Sequence, residues 1–520
     1  MNVKDKRRRK TENTERGSRI RSSSMSFLLI LGLLFSTAPA QNPSPDPVAL
    51  AQRLFKQGKF REAAAAYRAI INKDKTASVA YAGLVQSYLK ADDVKAADES
   101  SSEALALLPQ SALIHAIRGD VYFRKGRLSD AEDQYKSALT LDEKCARAWL
   151  GMGRVYTVVS RPGQAKDTLF HAHQLDPDDG DILFYWSITL TYPDNVKALE
   201  KYLAEYRLDP EDERRKREYL EFIRAVAGRD IWVPVKNIDH AEIKLESVIP
   251  HPGQLLGLAM KATVNGKAGV FLLDTGASWL TISRKLAEKI GARKLSEQVL
   301  EGTGEGRAAK AYLAWVDRVA IGDLEFHDCV VHVSTGPTMD GADGLVGLSI
   351  LNHNLVTLDV PHRRLTLDAL PARGDDSSRP LVRPFLPDSS LATQIFTFGH
   401  IVLLNTQVNQ KTVVLFVLDT GANNSFLSRQ LAEQLGKVRH SNMQVAGMSG
   451  SAGTPATATD TVLQFSNMPQ PPQDFVTTDL HSISRNLGTE VSGLIGISTL
   501  RQMKVTINYR DGWVKFQEGK

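Results

Sequence analysis

Cysteine is nearly absent from this chain, which has only Cys145 and Cys329 among its 520 residues. A disulfide framework or a cysteine-rich metal site needs more cysteines than that. The two cysteines also fall in segments of different sequence character, so we predict two buried small hydrophobic residues and no bridge. The stretch H-D-C-V-V-H at 327–332 has no second cluster of ligands, and we interpret it as strand alternation. No metal and no cofactor is implied.

A hydrophobic run long enough to cross a membrane is also missing from the leader. The run S-F-L-L-I-L-G-L-L-F at 26–35 is too short to span a bilayer. It follows a basic stretch ending at Arg21 and precedes Ala38 and Ala40, which are placed for signal-peptidase cleavage. We predict a signal peptide over 1–40 and an exported, periplasmic or extracellular protein, with no membrane span after cleavage. Retention of the leader as an anchor is the alternative.

Beyond the leader there is no excess of charge of one sign. The net charge is +5, but residues 1–40 hold nine Lys and Arg against three acidic residues, which leaves about −1 for the remainder. Nucleic-acid binding needs a clustered basic face, so we expect no nucleic-acid partner. A hydrophobic share of 42% and a charged share of 24% are typical of a soluble globular protein. The length predicts two to four domains.

Residues 46–228 repeat with a period of 34. The recurring positions are Tyr88, Tyr122 and Tyr156; Ala63, Ala97, Ala131 and Ala165; and Ala104, Ala138 and Ala172. Apolar residues within each unit have helical spacing, and the alanines mark where two helices approach closely. We therefore predict an α-helical repeat solenoid.

These repeats resemble the tetratricopeptide family, whose W-x-x-L-G-x-x-Y pattern is nearly met by A-W-L-G-M-G-R-V-Y at 148–156. The resemblance implies four units over about 46–179, a shortened fifth at 180–211, and a charged capping helix at 212–227. Solenoids offer a concave binding surface, so a protein partner or the substrate is expected there. A spacer or an oligomerisation module is the alternative.

From about residue 229 the apolar pattern changes to the period of two that is typical of strands. An Asn-Gly pair at 265–266 predicts a hairpin turn. A segment rich in Pro and Ser at 371–392 predicts a linker between a first half, 229–370, and a second half, 393–520.

The two halves are copies of one another. Asp-Thr-Gly-Ala occurs at 274–277 and again at 419–422, directly after an apolar run in both places. Further segments align in the same order: V-N-G-K (264–267) with V-N-Q-K (408–411), K-L-A-E-K-I-G (285–291) with Q-L-A-E-Q-L-G (430–436), E-G-T-G-E-G (301–306) with A-G-M-S-G-S-A-G (446–453), and D-G-L-V-G-L-S-I-L (343–351) with S-G-L-I-G-I-S-T-L (492–500).

Each repeated motif places an aspartate at the end of a buried strand, where glycine allows a tight turn. If the two turns meet across a pseudo-two-fold axis, Asp274 and Asp419 come within hydrogen-bond reach and cannot both ionise. The pair then shares one proton. It can act as a base toward water while its proton polarises a peptide carbonyl, so hydrolysis needs neither a metal nor a covalent intermediate.

These residues resemble the retroviral-type (retropepsin-like) aspartic peptidases over about 245–370 and 393–518. In that family the Asp-Thr/Ser-Gly motif is followed, further along the chain, by an element of two hydrophobic residues and Gly. Here that element is Leu345-Val346-Gly347 in the first half and Leu494-Ile495-Gly496 in the second. The resemblance implies an all-β, pseudo-two-fold fold and an aspartic endopeptidase that cleaves a peptide or protein substrate.

The resemblance also implies roles for single residues. Asp274 and Asp419 would be catalytic, and the loops around them would be cross-braced through the threonine hydroxyls. The supporting loop residues are Thr275, Gly276, Thr420 and Gly421. The substrate-binding flaps would contain Gly302, Thr303 and Gly304 in the first half and Gly447, Met448, Ser449 and Gly450 in the second.

One departure from the pepsin-like pattern concerns the residue after each glycine. Ala277 and Ala422 stand where pepsin-like enzymes tend to carry a hydroxyl that hydrogen-bonds the aspartates. Without that donor the ionised form is less stabilised, so we expect a working pH that is only mildly acidic.

Two alternatives to a single-chain peptidase stay open. The chain could be a non-catalytic peptide- or protein-binding scaffold with a degenerate peptidase region. Each half could also pair with its twin in a homodimer. The 22-residue linker is long enough for pairing within one chain, which favours a monomer.

Overall fold

The computed structural model describes residues 46–249, 257–300, 309–336, 341–373, 380–385, 392–436, 438–440, 445–447, 450–452 and 456–519. The signal peptide predicted over 1–40 lies outside these residues. None of the helices found in the described residues has the length and apolar character needed to cross a lipid bilayer.

In the described part of the chain, eleven helices precede the first strand and form what we call the helical array. They are α1 (Pro47–Lys56), α2 (Phe60–Lys73), α3 (Ser78–Lys90), α4 (Val94–Leu107), α5 (Ala112–Arg124), α6 (Leu128–Leu141), α7 (Ala146–Val158), α8 (Pro162–Leu175), α9 (Gly180–Ser187), α10 (Asp194–Glu205) and α11 (Pro210–Val226).

The helical array follows the sequence period. Helices α3, α5, α7 and α9 begin 34 residues apart. The repeated alanines Ala63, Ala97 and Ala131 are fully buried, because larger side chains would hold the helices apart. The predicted helical solenoid is confirmed, while its assignment to the tetratricopeptide family stays a prediction.

The first half contains a 3-10 helix at Leu348–Leu351 and is otherwise built, within its described residues, from twelve strands and one short α-helix. They are β1 (Val233–Pro234), β2 (His240–Lys244), β3 (Glu246–Val248), β4 (Gly257–Val264), β5 (Lys267–Asp274), β6 (Leu280–Ser283), α12 (Arg284–Lys289), β7 (Arg293–Leu300), β8 (Ala309–Ile321), β9 (Leu324–Ser334), β10 (Gly344–Gly347), β11 (Asn354–Asp359) and β12 (Arg364–Ala369). The predicted turn joins β4 to β5, with positive φ at both Asn265 and Gly266.

The second half has a similar order of elements. They are β13 (Thr393–Phe398), β14 (Ile401–Val408), β15 (Thr412–Leu418), β16 (Phe426–Ser428), α13 (Arg429–Leu435), β17 (Val438–His440), β18 (Val445–Gly447), β19 (Gly450–Ala452), β20 (Ala456–Thr461), β21 (Leu463–Phe465), β22 (Met468–Pro469), β23 (Gln473–Thr478), α14 (His481–Leu487), β24 (Gly493–Ile495), α15 (Ile497–Leu500), β25 (Met503–Asn508) and β26 (Trp513–Glu518).

The strands around each Asp-Thr-Gly-Ala motif have the same connectivity in both halves. In the first half β10 pairs in parallel with β5 and antiparallel with β6, and β6 pairs in parallel with β9. In the second half β24 pairs in the same way with β15 and β16, and β16 pairs in parallel with β23. The predicted duplication of an all-β half is confirmed.

A six-stranded sheet joins the two halves in the order β2, β12, β11, β25, β26, β13. Each half contributes three neighbouring strands, and β11 meets β25 with Thr357 opposite Thr506. The hydroxyl oxygens of these two threonines are 3.0 Å apart. The register is symmetric about this pair, so the pseudo-two-fold axis passes between them.

The helical array packs against the second half through α5 to α7. The Thr489 hydroxyl donates to the carbonyl of Phe123 at 2.8 Å, and the Glu490 N–H donates to the carbonyl of Arg124 at 2.8 Å. An apolar cluster that contains Phe123, Tyr135, Val155, Leu415 and Val491 fills the contact. Part of the array's surface is therefore covered by the chain itself.

Helix α11 packs against the first half. Val226 and the partly buried Phe222 form one apolar cluster with Leu313, Trp315 and Val330 of β8 and β9. Because other helices hold the second half, the array contacts both halves of the β region.

Candidate active site

The structure brings Asp274 and Asp419 together. Asp274 ends β5 and Asp419 directly follows β15. A Cβ atom placed on Gly421 would lie 2.4 Å from Cγ of Asp274, and one placed on Gly276 would lie 3.2 Å from Cγ of Asp419. The two carboxyl groups are close enough for each to influence the ionisation of the other. The two motif loops therefore meet within one chain.

Reciprocal hydrogen bonds of two buried threonines lock the loops to each other. The Thr275 N–H donates to Oγ1 of Thr420 at 3.1 Å, and the Thr420 N–H donates to Oγ1 of Thr275 at 3.0 Å. Each hydroxyl in turn donates across the axis, Thr275 to the carbonyl of Leu418 at 2.6 Å and Thr420 to that of Leu273 at 3.0 Å. This is the cross-brace that the family resemblance implies.

Thr275→Val is expected to destabilise the protein, because valine has nearly the same shape but leaves a buried N–H and a buried carbonyl without partners. Each unsatisfied group costs roughly 1–3 kcal/mol, so for the two groups we expect a loss of about 2–6 kcal/mol in the free energy of unfolding. Urea denaturation measures it. Thr275→Ser keeps both bonds and should cost much less; equal losses for the valine and serine variants would contradict the cross-brace.

Burial raises the pKa of both aspartates, because ionisation is unfavourable away from water. The charge of Asp274 raises the pKa of Asp419 further, to well above its ordinary value. Backbone N–H groups oppose this effect: Gly276 donates to Oδ1 of Asp274 at 2.7 Å, and Gly421 and Ala422 donate to Oδ1 of Asp419 at 2.9 and 3.1 Å. The pair therefore holds one proton at pH values at which an isolated carboxyl group is already ionised.

The raised pKa values of the aspartates predict a bell-shaped dependence of peptide hydrolysis on pH. Activity should fall when a second proton binds the pair and again when the shared proton leaves, so we expect a maximum between about pH 4 and 7. His332 supports this expectation: burial and the nearby His400 lower its pKa to about 4, so further positive charge enters the site only below that pH. Measurement of kcat/KM against pH tests the expectation, and a maximum far below pH 4 would contradict it.

Three residues beside the first motif loop were not predicted as site residues. His332 was interpreted as strand alternation, but its Nε2 lies 3.0 Å from Oγ of Ser278 and its ring stacks on Trp279. His400, in the turn between β13 and β14, lies beside the backbone of Gly276. For Trp279 the available signal was an aromatic residue two positions after the motif. For His400 there was none, since it comes from the other half.

The predicted flaps are described only in part. In the second half β18 and β19 form an antiparallel hairpin in which Gly447 pairs with Gly450. The hairpin tip and the first-half flap residues lie outside the described residues; they are Met448, Ser449, Gly302, Thr303 and Gly304. Their role in substrate binding stays a prediction.

The cysteines and metal-type side chains add no second site. Cys145 and Cys329 are buried and unbridged, as predicted. Within the described ranges, no group of three or more His, Cys, Asp or Glu side chains is arranged to hold a metal ion.

Two β lobes of equal connectivity with a carboxyl pair at their junction define the architecture of an aspartic peptidase. Residues 260–353 match the family model described as "gag-polyprotein putative aspartyl protease", and residues 404–499 match the model described as "Aspartyl protease". The chain thus carries two tandem aspartyl protease domains, which support the retropepsin-like type and a peptidase function in general. No curated protein matches the chain in sequence.

Proposed function

We propose that this chain is an aspartic endopeptidase that hydrolyses peptide bonds with a water molecule activated by Asp274 and Asp419 of the same chain. The observation that carries the proposal is the close approach of two partly buried carboxyl groups, each against the glycine of the other motif loop, with the loops held together by the reciprocal bonds of Thr275 and Thr420. Such a pair combines a base and an acid at one point.

The reaction follows from the single shared proton. The ionised carboxylate removes a proton from water as the water oxygen bonds to the peptide carbonyl carbon, and the shared proton passes to the carbonyl oxygen. The tetrahedral intermediate then breaks its C–N bond while the protonated carboxyl group gives its proton to the leaving nitrogen and the carboxylate takes a proton from a hydroxyl of the intermediate, which becomes the product carboxyl group. Afterwards the pair again holds one proton, and no covalent bond to the protein has formed.

The substrate would lie extended between the halves, with its backbone along the β18–β19 hairpin. The helical array would bind a protein partner or present the substrate. Because α5 to α7 are partly covered by the second half, such a partner would bind elsewhere on the array. We also propose that residues 1–40 direct export and that the protein is a monomer.

The proposal is tested by incubating the mature protein with unfolded casein at several mildly acidic pH values. We expect cleavage, and we expect the activity to elute from size-exclusion chromatography at the monomer position. Activity confined to a dimer would favour aspartate pairs formed between chains. Identical behaviour of the wild type, Asp274→Asn and Asp419→Asn would favour a non-catalytic binding protein.

A further inference from the structure

Trp279 has an unusual backbone conformation five residues after Asp274. Its φ is +46°, in the left-handed region that a bulky residue seldom adopts. Its carbonyl accepts the N–H of Gly347 at 2.6 Å, and Gly347 is the register partner of Asp274 in the parallel pairing of β10 with β5. Such a conformation persists only where the surroundings hold it, so the contacts of Trp279 bear on the aspartate loop.

Two aromatic rings hold the indole of Trp279. The ring of His332 stacks on it with centroids 5.6 Å apart, and that histidine also bonds Ser278 of the same loop. The ring of Phe222 packs against the indole at 5.3 Å with a tilt of 40°. Phe222 belongs to α11, so a side chain of the helical array reaches the loop that carries Asp274.

The second half lacks this arrangement at the matching position, Asn424, which is exposed. There the glycine equivalent to Gly347 is Gly496, and its N–H donates to the hydroxyl of Ser425 at 2.9 Å. The same hydroxyl lies 2.6 Å from that of Thr499. At this position the second loop is held by hydroxyl groups of its own half, whereas the first loop is contacted both by His332 of its own half and by Phe222 of α11.

We propose that Phe222 is a positioning residue for Asp274, acting through Trp279, so that the helical array completes the active site. The inference rests on the proposed peptidase function. It assigns the array a role inside the enzyme, in addition to any partner that it binds. Loss of the apolar bulk of the Phe222 side chain would let the Trp279 backbone relax and move the loop that aims the Asp274 carboxylate.

The test compares full-length Phe222→Ala with Phe222→Leu and Val226→Ala. Val226 lies in the same apolar cluster between α11 and the sheet, so its loss weakens that contact without removing the ring on Trp279. Because small misplacements of catalytic groups are costly, we expect Phe222→Ala to lower kcat by about tenfold with KM changed less than about twofold. Val226→Ala should change kcat by less than about twofold, and Phe222→Leu should recover most of the loss.

Amide hydrogen exchange of residues 275–281 gives a second readout that needs no activity. We expect faster exchange there in Phe222→Ala than in the wild type or Val226→Ala, because the loop opens more readily. Equal kcat losses for the two alanine variants, or unchanged exchange in Phe222→Ala, would overturn the inference. If the wild type cleaves no peptide, the proposed function fails, and exchange alone decides whether α11 holds the loop.

Discussion

Asp419→Asn is expected to lower kcat/KM for peptide hydrolysis by roughly a hundred- to ten-thousandfold, the range that general acid–base catalysis contributes. The amide has the shape of the carboxyl group, and its oxygen can still accept the N–H groups of Gly421 and Ala422. What it cannot do is share a proton with Asp274. Rates on an unfolded protein substrate measure the loss.

The same variant should be more stable than the wild type at neutral pH. Folding raises the pKa of Asp419, so the stability associated with this group is complete below the unfolded pKa and is lost as the pH rises through the folded pKa. Asparagine removes that penalty. We expect a higher melting temperature at pH 7 and a smaller difference below about pH 3, where the carboxyl is protonated in both states.

An exposed carboxylate provides the control for these expectations. The Asp317 carboxylate forms an exposed ion pair with Arg293 on the surface of the first half, and Asp317→Asn should leave both rate and stability close to the wild type. An Asp419→Asn protein that keeps a tenth or more of the wild-type rate would exclude the aspartate pair as the catalytic group.

Gly421→Ala is expected to abolish most activity without unfolding the protein. A methyl group at this position would lie 2.4 Å from Cγ and 2.6 Å from both carboxylate oxygens of Asp274. The carboxylate is the end of a side chain and can rotate away, so the cost in stability is small. Rotation breaks its alignment with Asp419, and a displacement of about 1 Å can cost on the order of a hundredfold in rate.

Gly276→Ala is the matched comparison for this prediction. The added methyl group would lie 3.1 Å from Oδ1 of Asp274 and 3.2 Å from Cγ of Asp419, which is tight without being a collision. We therefore expect a clearly smaller loss of kcat than for Gly421→Ala. The reverse order would mean that the loops do not meet as described.

The parts of the molecule that are periodic or duplicated could be predicted from the sequence. The 34-residue spacing of alanines and tyrosines predicted helices whose starts are 34 residues apart, because each unit must repeat its packing to stack on the next. The second Asp-Thr-Gly-Ala predicted the partner of the first, since one half cannot form the site alone. The matching strand connectivity of the two halves follows from the same duplication.

The contacts around the first motif loop could not be predicted in this way. Phe222, Trp279 and His400 come from three different parts of the chain, and no repeated pattern connects them. Phe222 reads as one apolar residue on a charged helix, and His400 as a polar turn residue. Only the three-dimensional packing of the array and both halves brings them together around the loop that follows Asp274.

The six-stranded sheet with Thr357 opposite Thr506 fuses the two lobes into one molecule. Two identical lobes would line the cleft with the same side chains whichever way a bound peptide ran through it. Fusion frees each lobe to change independently, and the chain already has a tryptophan at 279 where the other lobe has an asparagine at 424. A peptide runs from amino to carboxyl end, so unequal walls allow the cleft to select one polarity of binding and a directional recognition sequence.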